Sequence, residues 1–186
     1  METISNGGEK RMKQLFDNEN LRRLDESIML RVQERRRRWL NPVMIAVTEL
    51  GGGVIWWAWY GFIFMKNHDK QALLYFTVSF FAGWLLSSQV LKRVFGRPRA
   101  YDAMEEVIPL VRRPKDLAFP SAHAACAFSA ACAIAVTRTP MEGIIALILA
   151  VLVGFSRIYV GVHYLTDVLG GTVTGILCAA AALPLL

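Results

Sequence analysis

Long apolar stretches separated by short polar segments dominate the chain from residue 41 onward. Five of them approach the roughly 20 helical residues needed to cross a bilayer core of about 30 Å: Asn41–Met65, Gln71–Leu91, Pro120–Val136, Gly143–Val160 and Thr166–Leu186. So many stretches in one chain are hard to explain as buried helices of a globular core. The pattern predicts an all-α, polytopic membrane bundle of about five transmembrane helices.

The segment before the first stretch has a different pattern. Apolar residues recur there at helical spacing, with charged residues between them: Leu21, Leu24, Ile28 and Val32. This spacing favours an amphipathic helix at the membrane interface, with a solvated helix as the alternative. We therefore expect two parts, residues 1–40 and residues 41–186. The first holds a flexible end (residues 1–9) and the interfacial helix, and the second is the transmembrane domain.

Composition and charge narrow the range of partners. The apolar fraction of 54% and the mean hydropathy of +0.36 agree with a membrane protein. The net charge of +6 arises from residues 1–40 and 92–118, without the alternation of aromatic and basic residues typical of nucleic-acid binding. We expect membrane lipids and an anionic ligand as partners, and no nucleic acid. No carboxylate cluster suggests a Mg²⁺ site, so we expect no metal and no other cofactor. The oligomeric state stays open.

Three polar clusters interrupt the apolar pattern. They read LKRVFGRPRA (Leu91–Ala100), FPSAH (Phe119–His123) and SRIYVGVHYLTD (Ser156–Asp167). With five spans, the end of the second, the start of the third, the end of the fourth and the start of the fifth lie on one side of the membrane. The clusters should therefore meet at one membrane face, although they are far apart in sequence.

Basic side chains and a helix amino terminus in these clusters are both suited to binding an anion. Lys92, Arg99 and Arg157 are cations, and guanidinium groups match phosphate oxygens bidentately. Ser121 and Ala122 open a helix, whose free backbone N–H groups and positive dipole end attract negative charge. Each feature alone has an ordinary explanation, because basic residues at span ends often reach the interface and a serine after proline often caps a helix. Their conjunction on one face favours phosphate binding.

The same face holds candidate catalytic groups. If the fifth helix begins near His163, His163 and Asp167 share a face, and the carboxylate fixes the tautomer of the ring while the other nitrogen acts as a nucleophile. His123 is a candidate acid. In the first stretch, Glu49 is a candidate substrate-site residue, with a simple interfacial position as the alternative. The following Gly51–Gly53 predicts a kink or a close helix contact.

These residues also carry a resemblance to a known family. Lys92 and Arg99 with six residues between them, then PSAH, then Ser-Arg-x5-His-x3-Asp resemble the three-part signature of the phosphatidic acid phosphatase type 2 superfamily, in its membrane branch. Two positions depart from the pattern, since Ala100 stands where proline is usual and Ala122 where glycine is usual. Neither change removes a reacting group.

The resemblance implies a metal-independent phosphatase with a phosphohistidine intermediate. It implies that His163 attacks phosphorus, that Asp167 holds its ring, and that His123 protonates the leaving oxygen. It also assigns the phosphate oxygens to four side chains and one backbone N–H: Lys92, Arg99, Ser121 and Arg157, with the N–H of Ala122.

The sequence is similar to bacterial undecaprenyl pyrophosphate phosphatases, which implies a role in recycling the cell-wall lipid carrier. Phosphatidylglycerol phosphate and phosphatidic acid are alternative substrates, with a role in phospholipid metabolism. A non-catalytic lipid-phosphate transporter or scaffold and a phosphotransferase are alternative activities. The resemblance implies a multi-pass plasma-membrane protein whose site faces the extracytoplasmic side. By contrast, Arg35–Arg38 before the first span favours the cytoplasmic side by the positive-inside rule.

Overall fold

The structure is a computed structural model that describes residues 18–186, so the expected flexible end at residues 1–9 lies outside the described residues. The helices are α1 Glu19–Glu34, α2 Asn41–Gly51, α3 Val54–Asn67, α4 Lys70–Leu85, α5 Lys92–Phe95, α6 Ala100–Ala103, α7 Ala122–Thr137, α8 Pro140–Tyr159 and α9 Leu165–Ala182. A π-helical turn, Leu86–Leu91, joins α4 to α5, and a 3-10 turn, Leu183–Leu185, follows α9. Residues 18–186 contain no strand, and the all-α prediction is confirmed.

Helix α7 lies at the centre of the bundle, where it packs against α4, α8 and α9. Its buried positions are largely small residues, which allow neighbouring backbones to approach closely. A Cβ atom added at Gly175 of α9 would lie 2.4 Å from the carbonyl oxygen of Ala125 in α7. The two helices are therefore in backbone contact, and the contact fixes α9 against α7 below the site described next.

Within residues 18–186, three helical segments are long and apolar enough to cross a membrane: Lys70–Ala103, Pro140–Tyr159 and Leu165–Leu185. Helix α7 is apolar but has only 16 residues. Large apolar side chains cover much of the outer surface, including Ile148, Val151 and Leu177. A surface of this kind suits lipid, where backbone polar groups have to be satisfied within helices. The protein is a membrane protein, and the count of five spans stays a prediction.

The first predicted stretch, Asn41–Met65, is not one helix, because the chain breaks between α2 and α3 at Gly52 and Gly53. The carbonyl oxygen freed at Gly51 accepts a hydrogen bond of 2.9 Å from the Trp56 indole. Added Cβ atoms would lie 2.3 Å from Val153 at Gly51 and 2.8 Å from the His123 ring at Gly52. The kink and the close helix contact predicted from the glycines both occur.

The helix predicted before the first span is present as α1, and it packs against α8 and α9. Its amino-terminal N–H groups are capped by the Asn18 side chain. The residues buried on α1 are Asp25 and Met29, each one position after Leu24 and Ile28 of the apolar pattern. Leu24 itself is 50% exposed. The contact between α1 and the bundle therefore includes a buried carboxylate, and the position of α1 at the membrane interface stays a prediction.

Candidate active site

The three polar clusters meet around one cleft of about 300 Å³. The cleft combines two histidines, three cations and one carboxylate with smaller and apolar groups: Gly52, Trp84, Ser88, Lys92, Arg99, Pro114, Asp116, Ala122, His123, Cys126, Arg157 and His163. Each of the three clusters contributes at least one of these residues. The convergence predicted from the alternation of spans is present in the structure.

His163 lies in the turn between α8 and α9. The turn reverses at Gly161, whose φ of +82° favours glycine. Helix α9 begins at Leu165, so His163 precedes the helix and does not lie in its first turn as the sequence suggested. The contact expected from that spacing still forms, because Nδ1 of His163 lies 3.5 Å from Oδ2 of Asp167.

The ring nitrogens of His163 have different surroundings. Nη1 of Arg99 lies 3.2 Å from Nε2, and a guanidinium can only donate. We therefore assign the proton to Nδ1, facing Asp167, and the lone pair to Nε2, where it accepts from Arg99. The ring is 1% exposed. Burial lowers the pKa of His163 well below 6.5, and the charges of Arg99 and Arg157 lower it further, so the ring stays neutral. Neutral imidazole with one unprotonated nitrogen is the nucleophilic form, and an entering phosphate that takes up Arg99 would release this nitrogen for attack.

Asp167 is completely buried and held on all sides. Its Oδ2 accepts a hydrogen bond of 2.9 Å from the backbone N–H of Tyr164, and its Oδ1 accepts one of 2.7 Å from Nη1 of Arg97. Its own backbone carbonyl accepts from the N–H of Ser121 at 2.9 Å, which ties α9 to the start of α7. The carboxylate therefore has a fixed position from which to orient His163.

Lys92, Arg99 and Arg157 come from three different places in the chain and are all buried. Lys92 follows the π-helical turn, Arg99 precedes α6, and Arg157 lies in the last turn of α8. Nη1 of Arg157 donates to the hydroxyl of Thr48, while its Nε is buried without a hydrogen-bond partner among the described residues. An N–H donor in this position suits an anion that enters the cleft.

Asp116 was missed in the sequence, and it occupies the place where a phosphate was expected. Its carboxylate accepts from Nζ of Lys92 and, at 2.5 Å, from Nη2 of Arg99. Nε of Arg99 also donates to the Asp116 carbonyl at 2.8 Å. Burial raises the pKa of Asp116, but the hydrogen bonds and charges of Lys92 and Arg99 outweigh it and lower the value from 3.8 to about 2. An anion therefore already occupies these two cations.

The remaining predicted residues differ in their access to the cleft. Ser121 is buried as the cap of α7, with its Oγ 3.5 Å from the backbone nitrogen of Ala124. Ala122 and His123 line the cleft, which Ser121 does not. Glu49 is exposed on α2 and does not line the cleft, although it interacts electrostatically with Arg157. Its role in substrate binding stays a prediction.

Arg97 and Asp25 were also missed. Both are buried. Arg97 donates hydrogen bonds to Asp167 and to Asp25, so it lies between the two carboxylates. Arg97 lies in the quoted LKRVFGRPRA cluster, but its spacing did not distinguish it from a cation at the surface. Within residues 18–186, no group of three or more histidine, cysteine, aspartate or glutamate residues could hold a metal ion.

Comparison with known proteins identifies the family of this chain. The model of the PAP2 superfamily matches residues 71–186, which include all three polar clusters. The chain belongs to the PAP2 superfamily. PAP2 relatives include phosphatidylglycerophosphatase B of Bacillus subtilis, 37% identical over 170 residues that cover 82% of this chain and 78% of the relative. The undecaprenyl-diphosphatase of Sulfolobus acidocaldarius is 28% identical, covering 73% of this chain and 66% of the relative.

Two crystal structures of PAP2 enzymes share the fold. One is a transmembrane PAP2 type phosphatidylglycerolphosphate phosphatase from Bacillus subtilis, with a TM-score of 0.78, 30% identity, and coverage of 95% of this chain and 90% of that one. The other is Aquifex aeolicus LpxE, with a TM-score of 0.76, 26% identity, and coverage of 87% and 95%. The resemblance found in the sequence is confirmed. This chain is a membrane-embedded lipid phosphatase of the PAP2 superfamily, in which the phosphohistidine mechanism is general.

Proposed function

We propose that this enzyme removes the terminal phosphate of a phosphate-bearing membrane lipid through a phosphohistidine on His163. One observation carries the proposal: the lone pair of Nε2 lies beside Arg99 in a cleft that also holds Lys92 and Arg157. A phosphate bound by the three cations would place its phosphorus next to this nitrogen. The same cations stabilise the charge that develops on the phosphoryl oxygens in the transition state.

The reaction proceeds in two steps. Nε2 of His163 attacks phosphorus as the bond from phosphorus to the leaving oxygen breaks, and His123, as the protonated imidazolium, donates a proton to that oxygen and becomes neutral. Asp167 stabilises the positive charge on the phosphorylated ring. In the second step, His123 removes a proton from a water that attacks phosphorus, and inorganic phosphate leaves His163. Substrate phosphate has to displace Asp116 from Lys92 and Arg99 before either step.

The surroundings of the cleft support a lipid substrate. Trp84 and Ser88 line the cleft from α4 and the π-helical turn, and Trp84 is 43% exposed on the outer surface. An apolar groove continues from Trp84 along α4 past Phe81 and Val78. A lipid can therefore place its phosphate among the cations while its tail stays at the apolar surface.

Undecaprenyl pyrophosphate is the first candidate substrate, and relatives named undecaprenyl-diphosphatase support it. Phosphatidylglycerol phosphate is the second candidate, which the 37% identical phosphatidylglycerophosphatase B and the crystal structure with a TM-score of 0.78 favour. Phosphate release from both lipids and from phosphatidic acid, with purified enzyme in detergent, distinguishes them. If the enzyme releases phosphate from none of these lipids, the proposed function is refuted.

Variants of the two histidines test the assignment of roles. We expect His163→Ala to abolish turnover and phosphoenzyme for every substrate. His123→Ala removes only the acid, which contributes about 10²–10⁴-fold, most where the leaving oxygen is strongly basic. Its activity should therefore fall less on a pyrophosphate than on phosphatidic acid, whose leaving group is an alkoxide. If His163→Ala keeps turnover while His123→Ala forms no acid-labile phosphoenzyme, the two roles are reversed.

We also propose that the enzyme lies in the plasma membrane with its site on the extracytoplasmic face, and that residues 1–40 and 41–186 form its two parts. Arg36 donates to the carbonyls of Tyr159 and Ile108, so one residue of the Arg35–Arg38 run has a packing role that weakens its use as a topology signal. An impermeant thiol reagent applied to intact cells should label Asp102→Cys and not Asn67→Cys, in a variant without native cysteines. The opposite labelling would place the site in the cytoplasm.

A further inference from the structure

A carboxylate from α1 reaches the far side of the catalytic carboxylate. Asp25 is completely buried. Its Oδ2 accepts a hydrogen bond of 2.7 Å from Nη2 of Arg97, and its Oδ1 accepts one of 3.1 Å from the backbone N–H of Thr166. The Thr166 hydroxyl also donates to Asp25. The hydrogen bonds that Asp25 accepts therefore come from Arg97 and from Thr166 at the start of α9.

Arg97 joins this carboxylate to the catalytic one. Its Nη1 donates to Oδ1 of Asp167 at 2.7 Å and to Oγ1 of Thr166 at 2.6 Å. The guanidinium lies 4.2 Å from the centre of the Tyr164 ring, which covers it with a π face. A continuous series of contacts therefore runs from Asp25 through Arg97 and Asp167 to the ring of His163.

The charges along this series differ with and without Asp25. One guanidinium between two buried carboxylates leaves one net negative charge beside His163. Without the Asp25 charge, Arg97 would neutralise Asp167, and the group beside the ring would have no net charge. A buried guanidinium that loses one of its two anions also draws the other anion more strongly. Both effects weaken the interaction of Asp167 with a positively charged ring.

We propose that Asp25 is a positioning residue for the phosphatase reaction, which holds Arg97 and Asp167 in place and preserves the negative charge that stabilises the phosphorylated, cationic ring of His163. The inference rests on the proposed phosphohistidine mechanism. Asp25 lies on α1, outside the residues 71–186 that match the superfamily model. The amino-terminal helix is therefore part of the catalytic apparatus and not only a membrane anchor.

The experiment compares Asp25→Asn with Glu34→Gln, which removes an exposed carboxylate from the same helix. Outer partners that orient metal-binding histidines typically contribute about 10–100-fold, and we expect the same range for a partner that orients His163 through Asp167. We expect Asp25→Asn to lower kcat by about 10–100-fold with KM within about three-fold of the wild type, and Glu34→Gln to leave both unchanged. Competitive inhibition by inorganic phosphate and the thermal unfolding transition in detergent report whether each variant is folded with an intact anion site.

The pH profile separates a charge effect from a structural one. Charged or titratable groups face His163 from every element around it: Lys92, Arg99, Asp116, His123, Arg157 and Asp167. Asp25→Asn leaves all of them in place and removes one negative charge beyond Asp167. Protonation of His163 then becomes less favourable, so the acid limb of kcat/KM should move to lower pH. A variant that merely loosens the fold would lose activity without moving this limb.

The outcomes are distinct. An inactive wild-type enzyme would refute the proposed function, whereas an active wild type with an unchanged Asp25→Asn variant would overturn this inference alone. A lower kcat with an unmoved acid limb would also overturn it, because the charge of Asp25 would then not act on the ring of His163. Should Asp25→Asn not fold, Thr166→Val replaces it, since this change removes only the hydroxyl that bridges Arg97 and Asp25. We expect a several-fold lower kcat at constant KM, and an unchanged kcat overturns the inference.

Discussion

Replacement of Asp116 by asparagine should make the enzyme bind phosphate more tightly. The wild-type carboxylate occupies Lys92 and Arg99, and its pKa is lowered from 3.8 to about 2. A lowering of this size corresponds to about 2.5 kcal/mol in a group shielded from water. Because the side chain is 53% exposed, solvent screening reduces the interaction to about 1 kcal/mol. Asp116→Asn removes this competing charge at nearly constant shape, so KM should fall about five-fold.

The assay measures initial rates in mixed micelles together with competitive inhibition by inorganic phosphate. KM and the inhibition constant of phosphate should fall by the same factor, while kcat stays within about two-fold. Glu105→Gln removes an exposed carboxylate from the same loop and should change neither constant. The interaction of Asp116 is present above pH 3.8 and is lost only as the pH falls through about 2, so the effect should be constant across neutral pH. A rise in both constants would refute competition and show that Asp116 organises the two cations for phosphate.

Three further predictions concern the same cleft. Activity should survive EDTA, because cations and helix-end N–H groups bind the phosphate; loss of turnover on chelation with recovery in Mg²⁺ would contradict the mechanism. Gly52→Ala places a Cβ 2.8 Å from Nε2 of His123, so kcat should fall about ten-fold, with the largest loss on phosphatidic acid. An equal loss on pyrophosphates would exclude an effect through His123 as the acid. In ¹⁵N-histidine NMR, the His163 signal can be assigned by its loss in His163→Ala. Its titration midpoint should lie at a pH well below 6.5, and a midpoint at or above pH 6.5 would show that the ring is not kept neutral.

The helices could largely be located from the apolar pattern, but their interruptions and faces could not. The pattern reports which residues avoid water, and a break such as Gly52–Gly53 changes the backbone without changing that preference. The buried face of α1 lies one residue away from the face predicted by the apolar pattern, because a paired carboxylate is buried on it. Asp25 is buried because Arg97 and Thr166 satisfy it, and hydropathy assigns such a residue to solvent.

The candidate catalytic residues could be recognised in the sequence because each lies in a local motif of fixed spacing. His163 and Asp167 keep their contact even though α9 begins after the histidine, since the turn brings the ring back over the first turn of the helix. Asp116 lies 24 residues from Lys92 in a loop without periodic structure, and nothing local marks it as a partner of that lysine. Ion pairs of this kind follow from the fold, which a single sequence does not specify residue by residue.

The hydrogen bonds between Asp25 and Thr166 join positions that are 141 residues apart, and this separation has a consequence for biosynthesis. A ribosome makes α1 before α9, so the nascent chain carries the carboxylate of Asp25 through the synthesis of every intervening helix before Thr166 and Asp167 exist. Asp167, the proposed orienting group of the nucleophile, is synthesised with the same late segment. We therefore expect catalytic competence only after α9 has been synthesised, and a chain that terminates before Asp167 should not act on lipids.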